Sequence, residues 1–196
     1  MAEPSEAARK VMLDVLYAGY ARTPVLQELA AGRRLVMPAG PLNAPFAVIG
    51  EAPGEKEASR GEPFVGPSGA LLIEMFSGAA LPWRACYRTN VVPWRPDGNR
   101  TPYPFQVQAS YGRLAREMEI VSPAVIIAAG AVAWDGITQG DFGRFAEARW
   151  TWWRVQGRRL LCIPHPAAIL RCGSGKEQDE MLGKTVRALR EVRIPA

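Results

Sequence analysis

The sequence predicts an α/β fold, with a mostly parallel sheet covered by helices on both faces. Two observations carry this reading. Strand-like and helix-like segments alternate along the chain, and several of the strand-like segments are apolar throughout, as strands buried on both faces are. A third observation bounds it: 196 residues suffice to bury one sizeable core, so a single domain over 1–196 is expected. The 19 glycines and 17 prolines imply shaped loops between the elements.

The elements follow in order. Ser5 to Tyr20 carries Val11, Met12, Val15 and Leu16 at helical spacing, with Ser5 as the N-cap, and predicts an N-terminal helix within 1–22. A loop-rich stretch is expected over 23–45. "FAVIG" (46–50) is a short buried strand that stops at glycine. "GPSGALLIEMFSGA" (66–79) reads as a helix capped by Ser68, with Leu71, Leu72, Met75 and Phe76 turned inward. "ACYRTNVV" (85–92) is a strand, Phe105 to Ile120 a helix, and "AVIIAAG" (124–130) a second continuously apolar strand. A short helix starts at Ala131. "RWTWWRV" (149–155) and "RRLLCIP" (158–164) read as two further strands, and Glu177 to Val192 as the closing helix.

Charge and cysteine usage narrow the function classes. The formal charge is +5, from 24 Lys and Arg against 19 Asp and Glu, and arginine outnumbers lysine, which suits phosphate binding as well as an ordinary arginine-rich soluble protein. Cys86, Cys162 and Cys172 show no CxxC spacing, and an odd, scattered set argues for a reducing compartment rather than a disulfide framework. A tetrahedral zinc site would need all three cysteines to converge on the one histidine, so no metal is expected. No apolar run reaches the roughly 18 residues of a membrane span, and the acidic, alanine-rich start is not a signal peptide. A cytoplasmic protein is expected.

Ligands of open parallel sheets sit at the carboxyl ends of the strands. Three polar segments follow strand ends here: "GEAPGEKE" after 46–50, "TNVVPWRPDGNRTP" at and beyond 85–92, and "PHPAAILRCGSG" after 159–163. The first offers two carboxylates, Glu51 and Glu57, able to orient water, behind a glycine-proline turn that lets backbone approach a ligand. It is neither a GxGxxG nor a P-loop, and "CGSGKE" (172–177) lacks the first P-loop glycine. Phe64 sits in a glycine-proline loop, as core or as a stacking face. Asn90 ends a strand with a donor and an acceptor on one side chain, which can read an amide-like edge or simply end the strand in a turn. Arg95 and Arg100, arginines in a proline-rich loop, suit phosphates. His165, the sole histidine, is bracketed by Pro164 and Pro166; taken alone, it reads as a structural histidine.

Taken together, the order GEAPG-(x)2-E, G-x-P-F-V-G-x-x-G, TN-V-V, R-P-(x)2-N-R-x-P and HP-(x)3-LR resembles uracil-DNA glycosylases of the family 4 type, from about Gly32 to Val192. The resemblance implies a three-layer αβα sandwich with a central, mostly parallel four-stranded sheet. It also implies an enzyme that flips uracil out of DNA, hydrolyses its N-glycosidic bond and leaves an abasic site. By the same resemblance, His165 donates a hydrogen bond to uracil O2 as charge develops, Asn90 bonds the N3 and O4 edge, and Phe64 stacks on the ring. Glu51 and Glu57 match the acidic positions. One would position the attacking water, and Glu57 would alternatively fill the space of a thymine methyl. Ala52 and Gly54 line the base site. Pro67, Ser68, Arg95, Asn99 and Arg100 would grip phosphates, Ile169 and Leu170 would wedge into the base stack, and Arg171 would meet the backbone. The implied partner is uracil-containing DNA, single- or double-stranded, bound by a monomer.

The pattern breaks in three places. Family 4 enzymes usually carry a [4Fe–4S] cluster on four cysteines, whose positions here fall at about Pro24, Gln27, Trp94 and Ala109. A cluster needs thiolates, so no cofactor is expected, and Trp94, the N-terminal helix and the loop to Pro45 would fill the region with apolar packing. The second histidine of the covalently DNA-linking class X relatives is missing. So is the motif-1 aspartate of family 1 enzymes, with Ala52 in its place. The reading is a monofunctional, cluster-free glycosylase; the alternatives are a DNA-binding module of this fold without activity, and a glycosylase for another deaminated base.

Overall fold

A computed structural model describes residues 3–172 and 175–193. Gly173 and Ser174 of the "CGSGKE" segment lie outside the described residues. The centre is a five-stranded sheet in the order β2-β1-β3-β5-β4, formed by β1 (Phe46–Gly50), β2 (Cys86–Asn90), β3 (Val125–Ala129), β4 (Trp152–Val155) and β5 (Arg158–Ile163). The first three strands and β5 are parallel, and β4 returns antiparallel at the edge. The sheet therefore has one strand more than the four expected. The extra one is a hairpin partner that "RWTWWRV" and "RRLLCIP" form through the left-handed Gln156-Gly157 turn.

Period-2 alternation divides each buried strand between two cores. Phe46, Val48, Cys86, Val125, Ile127, Leu161 and Ile163 join the core under α4 (Pro67–Gly78), α8 (Pro166–Leu170) and α9 (Gly175–Leu189). Ala47, Ile49, Tyr87, Ile126, Ala128, Leu160 and Cys162 face the core of α1 (Glu6–Arg22), α2 (Pro24–Ala30), α5 (Pro104–Val121) and α6 (Ala131–Thr138). Helices thus cover both faces, which is the predicted sandwich. Two short helices, α3 (Glu55–Arg60) and α7 (Phe145–Ala148), and two 3-10 turns, Trp83–Ala85 and Asp97–Asn99, complete the described elements. Among the described residues, no helix is long and apolar enough to cross a membrane.

Several local expectations are corrected. Ser5 does cap α1, accepting from the Ala8 amide, but the buried stripe is Arg9, Leu13, Tyr17 and Tyr20, while Val11 and Val15 are 62% and 67% exposed. Polar tips on that stripe hid it from a purely apolar count. Within the stretch read as loop, α2 forms from Pro24, with proline at its first turn where no amide is needed. Helix α4 starts from Gly66 with Pro67 in its first turn, and Ser68 makes no capping bond. The last helix starts at Gly175, and Val192 is buried beyond its end.

One buried polar cluster ties α1, α5 and β2 together. Arg113 and Glu117, both fully buried, form an i,i+4 ion pair. Tyr17 and Tyr87 donate to Glu117 at 3.0 and 2.7 Å. The Arg113 Nη2 donates to the carbonyls of Asn90 (2.7 Å) and Val91 (2.6 Å). Burial beside Glu117 drives both tyrosine hydroxyls far above their ordinary range, so they stay protonated donors. The cluster gives partners to the carbonyl that ends β2 and to the one just beyond it, as buried backbone groups require.

Candidate active site

Four strand ends meet along one edge in the order Asn90, Gly50, Gly130, His165, because β2, β1, β3 and β5 lie side by side with their carboxyl ends in register. From β1 the chain moves to β2 on one side and then crosses back past β1 to β3 on the other, so the edge contains the switch point where ligands of open α/β sheets bind. Gly50 is the floor. A Cβ there would lie 2.4 Å from Asn90 Oδ1 and 2.8 Å from Phe64 Cζ, so the carboxamide and the aromatic ring converge directly above it.

Phe64 is held in the left-handed region (φ 60°), which bulky residues adopt only when their surroundings impose it. The loop does so through Gly69, where a Cβ would meet the Phe64 carbonyl oxygen at 2.0 Å, and through Trp83, whose ring meets Phe64 edge-on at 6.2 Å. Glu57 fastens the same loop from the other side, accepting from the Gly66 amide at 2.7 Å. A Cβ on Gly54 would lie 2.8 Å from the Glu57 carboxylate, so the glycine at that turn keeps room for it.

His165 is the N-cap of α8, followed by Pro166 at the first helical position. Its Nδ1 accepts from the Ala167 amide at 3.1 Å, which leaves the proton of the neutral ring on Nε2. The ring backs onto Gly130, where a Cβ would meet its Cβ at 2.9 Å. Burial, then the nearby Arg171, lower its pKa from 6.5 to about 4, against a smaller opposing pull from Glu57. The imidazole is therefore uncharged at neutral pH. Glu51 behaves oppositely: burial raises its pKa, while Thr101 and Arg171 partly restore the charged form.

The depressed histidine makes stability pH-dependent with a definite sign. Below pH 6.5 the unfolded chain takes up a proton that the folded site refuses until about pH 4. This contribution is complete above pH 6.5 and is lost as pH falls toward 4. Denaturant titrations at about pH 7 and about pH 5 are expected to show the wild type losing on the order of 1–2 kcal/mol more than His165→Asn.

Other predicted residues divide. Glu51, Ala52, Gly54, Phe64, Asn90 and His165 lie at or beside the strand ends. Pro67 and Ser68 stand at the N-terminal turn of α4. Arg95 donates to Asn99 Oδ1 at 2.8 Å, and the Arg100 guanidinium lies 3.8 Å over the Tyr103 ring. Leu170 is 43% exposed, but Ile169 is fully buried in the core beneath α8, so it is not available as a wedge in this conformation. Sequence reasoning missed Arg113 and its partners, since an i,i+4 Arg–Glu pair reads as a solvated helix face.

The iron–sulfur group implied by the resemblance does not fit the residues present. Trp94 is 1% exposed and stacks on Tyr20 with ring centroids 6.3 Å apart, and Ala109 packs against the same core. Neither they nor Pro24 and Gln27 supply a thiolate. Cys86 and Cys162 face opposite cores, and burial raises both thiols, Cys162 to about 12. Among the described residues no three histidine, cysteine or acidic side chains gather around a metal position.

Fold and site together define an α/β switch-point protein whose ligand edge gathers a carboxamide, an aromatic face, a carboxylate and an uncharged imidazole. Residues 37–190 match the uracil DNA glycosylase superfamily, and the chain belongs to that family. It is 37% identical over 148 residues to the type-4 uracil-DNA glycosylase of Archaeoglobus fulgidus, covering 70% of this chain and 72% of the relative. The type-4 uracil-DNA glycosylase of Thermotoga maritima is 34% identical over 140 residues, with the same coverage, and that of Pyrobaculum aerophilum 36% over 140 residues, covering 67% and 71%.

Proposed function

We propose that this protein excises uracil from DNA as a monofunctional glycosylase that needs no cofactor, acting as a monomer. The observation that carries the reading is the convergence of Asn90 and Phe64 over Gly50, on the same sheet edge as His165. An extrahelical uracil stacks on Phe64 and pairs its N3–H and O4 with the Asn90 oxygen and amino group. As the glycosidic bond breaks, its electron pair moves onto the uracil ring. The Nε2–H of neutral His165 donates to O2, where that negative charge collects. Water attacks the sugar carbon and passes its proton to Glu51, whose burial makes it more basic than an ordinary surface carboxylate. Glu57, bonded to the Gly66 amide, holds the Phe64 loop in place. Pro67, Ser68, Arg95, Asn99, Arg100 and Arg171 contact phosphates, and Leu170, rather than buried Ile169, is the wedge.

The test is alkaline cleavage of a labelled uracil oligonucleotide after incubation with the protein, beside a hypoxanthine oligonucleotide. Cleavage at uracil alone is expected. Intact uracil strands would reject the reading in favour of a binding module, and cleavage at hypoxanthine alone would reassign the base. In the same assay, Asn90→Asp is expected to weaken uracil excision, because aspartate presents only acceptors and repels O4. An unchanged uracil rate in that variant would remove Asn90 from base recognition.

A further inference from the structure

The start of α5 carries an exposed aromatic stack that none of the site chemistry uses. Tyr103 and Phe105 lie parallel, with centroids 5.4 Å apart and planes at 18°, and remain 50% and 53% exposed. Scattered exposed aromatics need no explanation, but two stacked at half exposure do. The arrangement is rigid: Pro104 fixes the first turn of α5, and the Tyr103 amide donates to Gln106 Oε1 at 3.0 Å. The Arg100 guanidinium covers the Tyr103 ring at 3.8 Å, extending the stack with a cation.

Position gives the stack its meaning. Arg95, in the turn that leads to Arg100 and Tyr103, lies 3.8 Å from Glu55 at the start of α3, and Thr101, between Arg100 and Tyr103 in the chain, favours the charged form of Glu51. The platform therefore begins at the rim of the site. The adjoining turn carries Arg95, bonded to Asn99 at 2.8 Å, and Arg100 sets a cation directly against the Tyr103 ring, so positive charge suited to a phosphate backbone accompanies the aromatic pair. A track of positive charge beside exposed aromatic faces is how proteins hold unpaired nucleic acid strands, because every base has a π face to stack and the backbone supplies the charge.

We propose that Tyr103 and Phe105, with Arg100, form a stacking platform for an unpaired nucleobase flanking the target nucleotide, which biases the protein toward single-stranded DNA. The proposal rests on the reading that the site takes DNA. In a duplex the flanking bases are paired and stacked on one another, so the platform has nothing to receive. On a single strand the neighbouring base is free to turn onto the rings.

The experiment compares affinities of wild type and the Tyr103→Leu/Phe105→Leu double variant for three uracil-free fluorescent oligonucleotides: a single strand, its duplex, and a single strand with abasic spacers scanned through the central positions. Leucine keeps apolar bulk but removes the π face. The ratio of single-strand to duplex affinity is expected to fall about tenfold in the variant, the scale of one base–aromatic stack. One or two spacer positions should reduce wild-type binding by a similar factor without affecting the variant. An unchanged ratio, or a wild type indifferent to spacers everywhere, overturns the proposal; so does a variant whose only change is its oligomeric state, which would make the rings a self-association surface. Because these strands lack uracil, the outcome is separate from excision. Aromatic-dependent single-strand binding without any uracil cleavage would leave the platform standing and remove the glycosylase reading instead.

Discussion

His165→Ala is expected to lower single-turnover uracil excision by about 10²–10³-fold, the scale of one preorganised donor aimed at developing charge, with much smaller loss in DNA affinity. The asymmetry follows from when the hydrogen bond matters: uracil O2 is a modest acceptor before bond cleavage and a strong one during it. The alanine variant should fold. The imidazole makes one capping contact, to Ala167, and loss of such a cap costs about 1 kcal/mol. A structural histidine predicts the reverse pattern, a marked drop in melting temperature with a nearly normal rate in the folded fraction. Both are read on one preparation by a thermal melt and a single-turnover time course.

Gly50→Ala is the second large effect, and it comes from a residue that contacts no reacting atom. The added methyl would sit 2.4 Å from Asn90 Oδ1 and 2.8 Å from Phe64 Cζ, so the carboxamide and the ring must both move. Misplacing recognition groups by about 1 Å can cost about 10²-fold in rate, and overpacking costs typically about 1–3 kcal/mol of stability. Excision is therefore expected to fall by about 10²-fold in a protein that still melts cooperatively. Gly112→Ala is the control: it lies in α5, where a Cβ meets nothing within 4 Å, and should slightly stabilise. Equal, small effects from the two substitutions would show that Gly50 is not the floor of a working site.

How much of this was legible in the sequence depended on whether the determinant was local. Strand ends, the three loops after them and the α/β class follow from hydrophobic runs and glycine-proline punctuation, and all five strands follow with them, as do α1, α4, α5, α6 and α9. The protonation form and tautomer of His165 were not legible: no helix was expected after Pro166, and only the Ala167 amide donating to Nδ1 shows which nitrogen carries the proton. What escaped depended on distant partners. Arg113 and Glu117 look like a surface pair until Tyr17 and Tyr87 close over them. Tyr17 and Tyr20 looked less like core than Val11 and Val15, although they bury more deeply. The role of Gly50 required knowing that Asn90 and Phe64, far along the chain, fold back onto it. Ile169 and Leu170 are adjacent and chemically alike, and only packing shows that one is core and the other exposed.

The proposed reaction needs an uncharged imidazole, protonated on Nε2, facing the departing base. The chain has a single histidine, so ¹⁵N-histidine labelling gives one imidazole spectrum without assignment work. At neutral pH the ring is expected to be neutral with its proton on Nε2, to titrate near pH 4, and to show a shift of that Nε2 proton when free uracil is added. An imidazolium at neutral pH, a proton on Nδ1, or a ring that does not respond to uracil would contradict it.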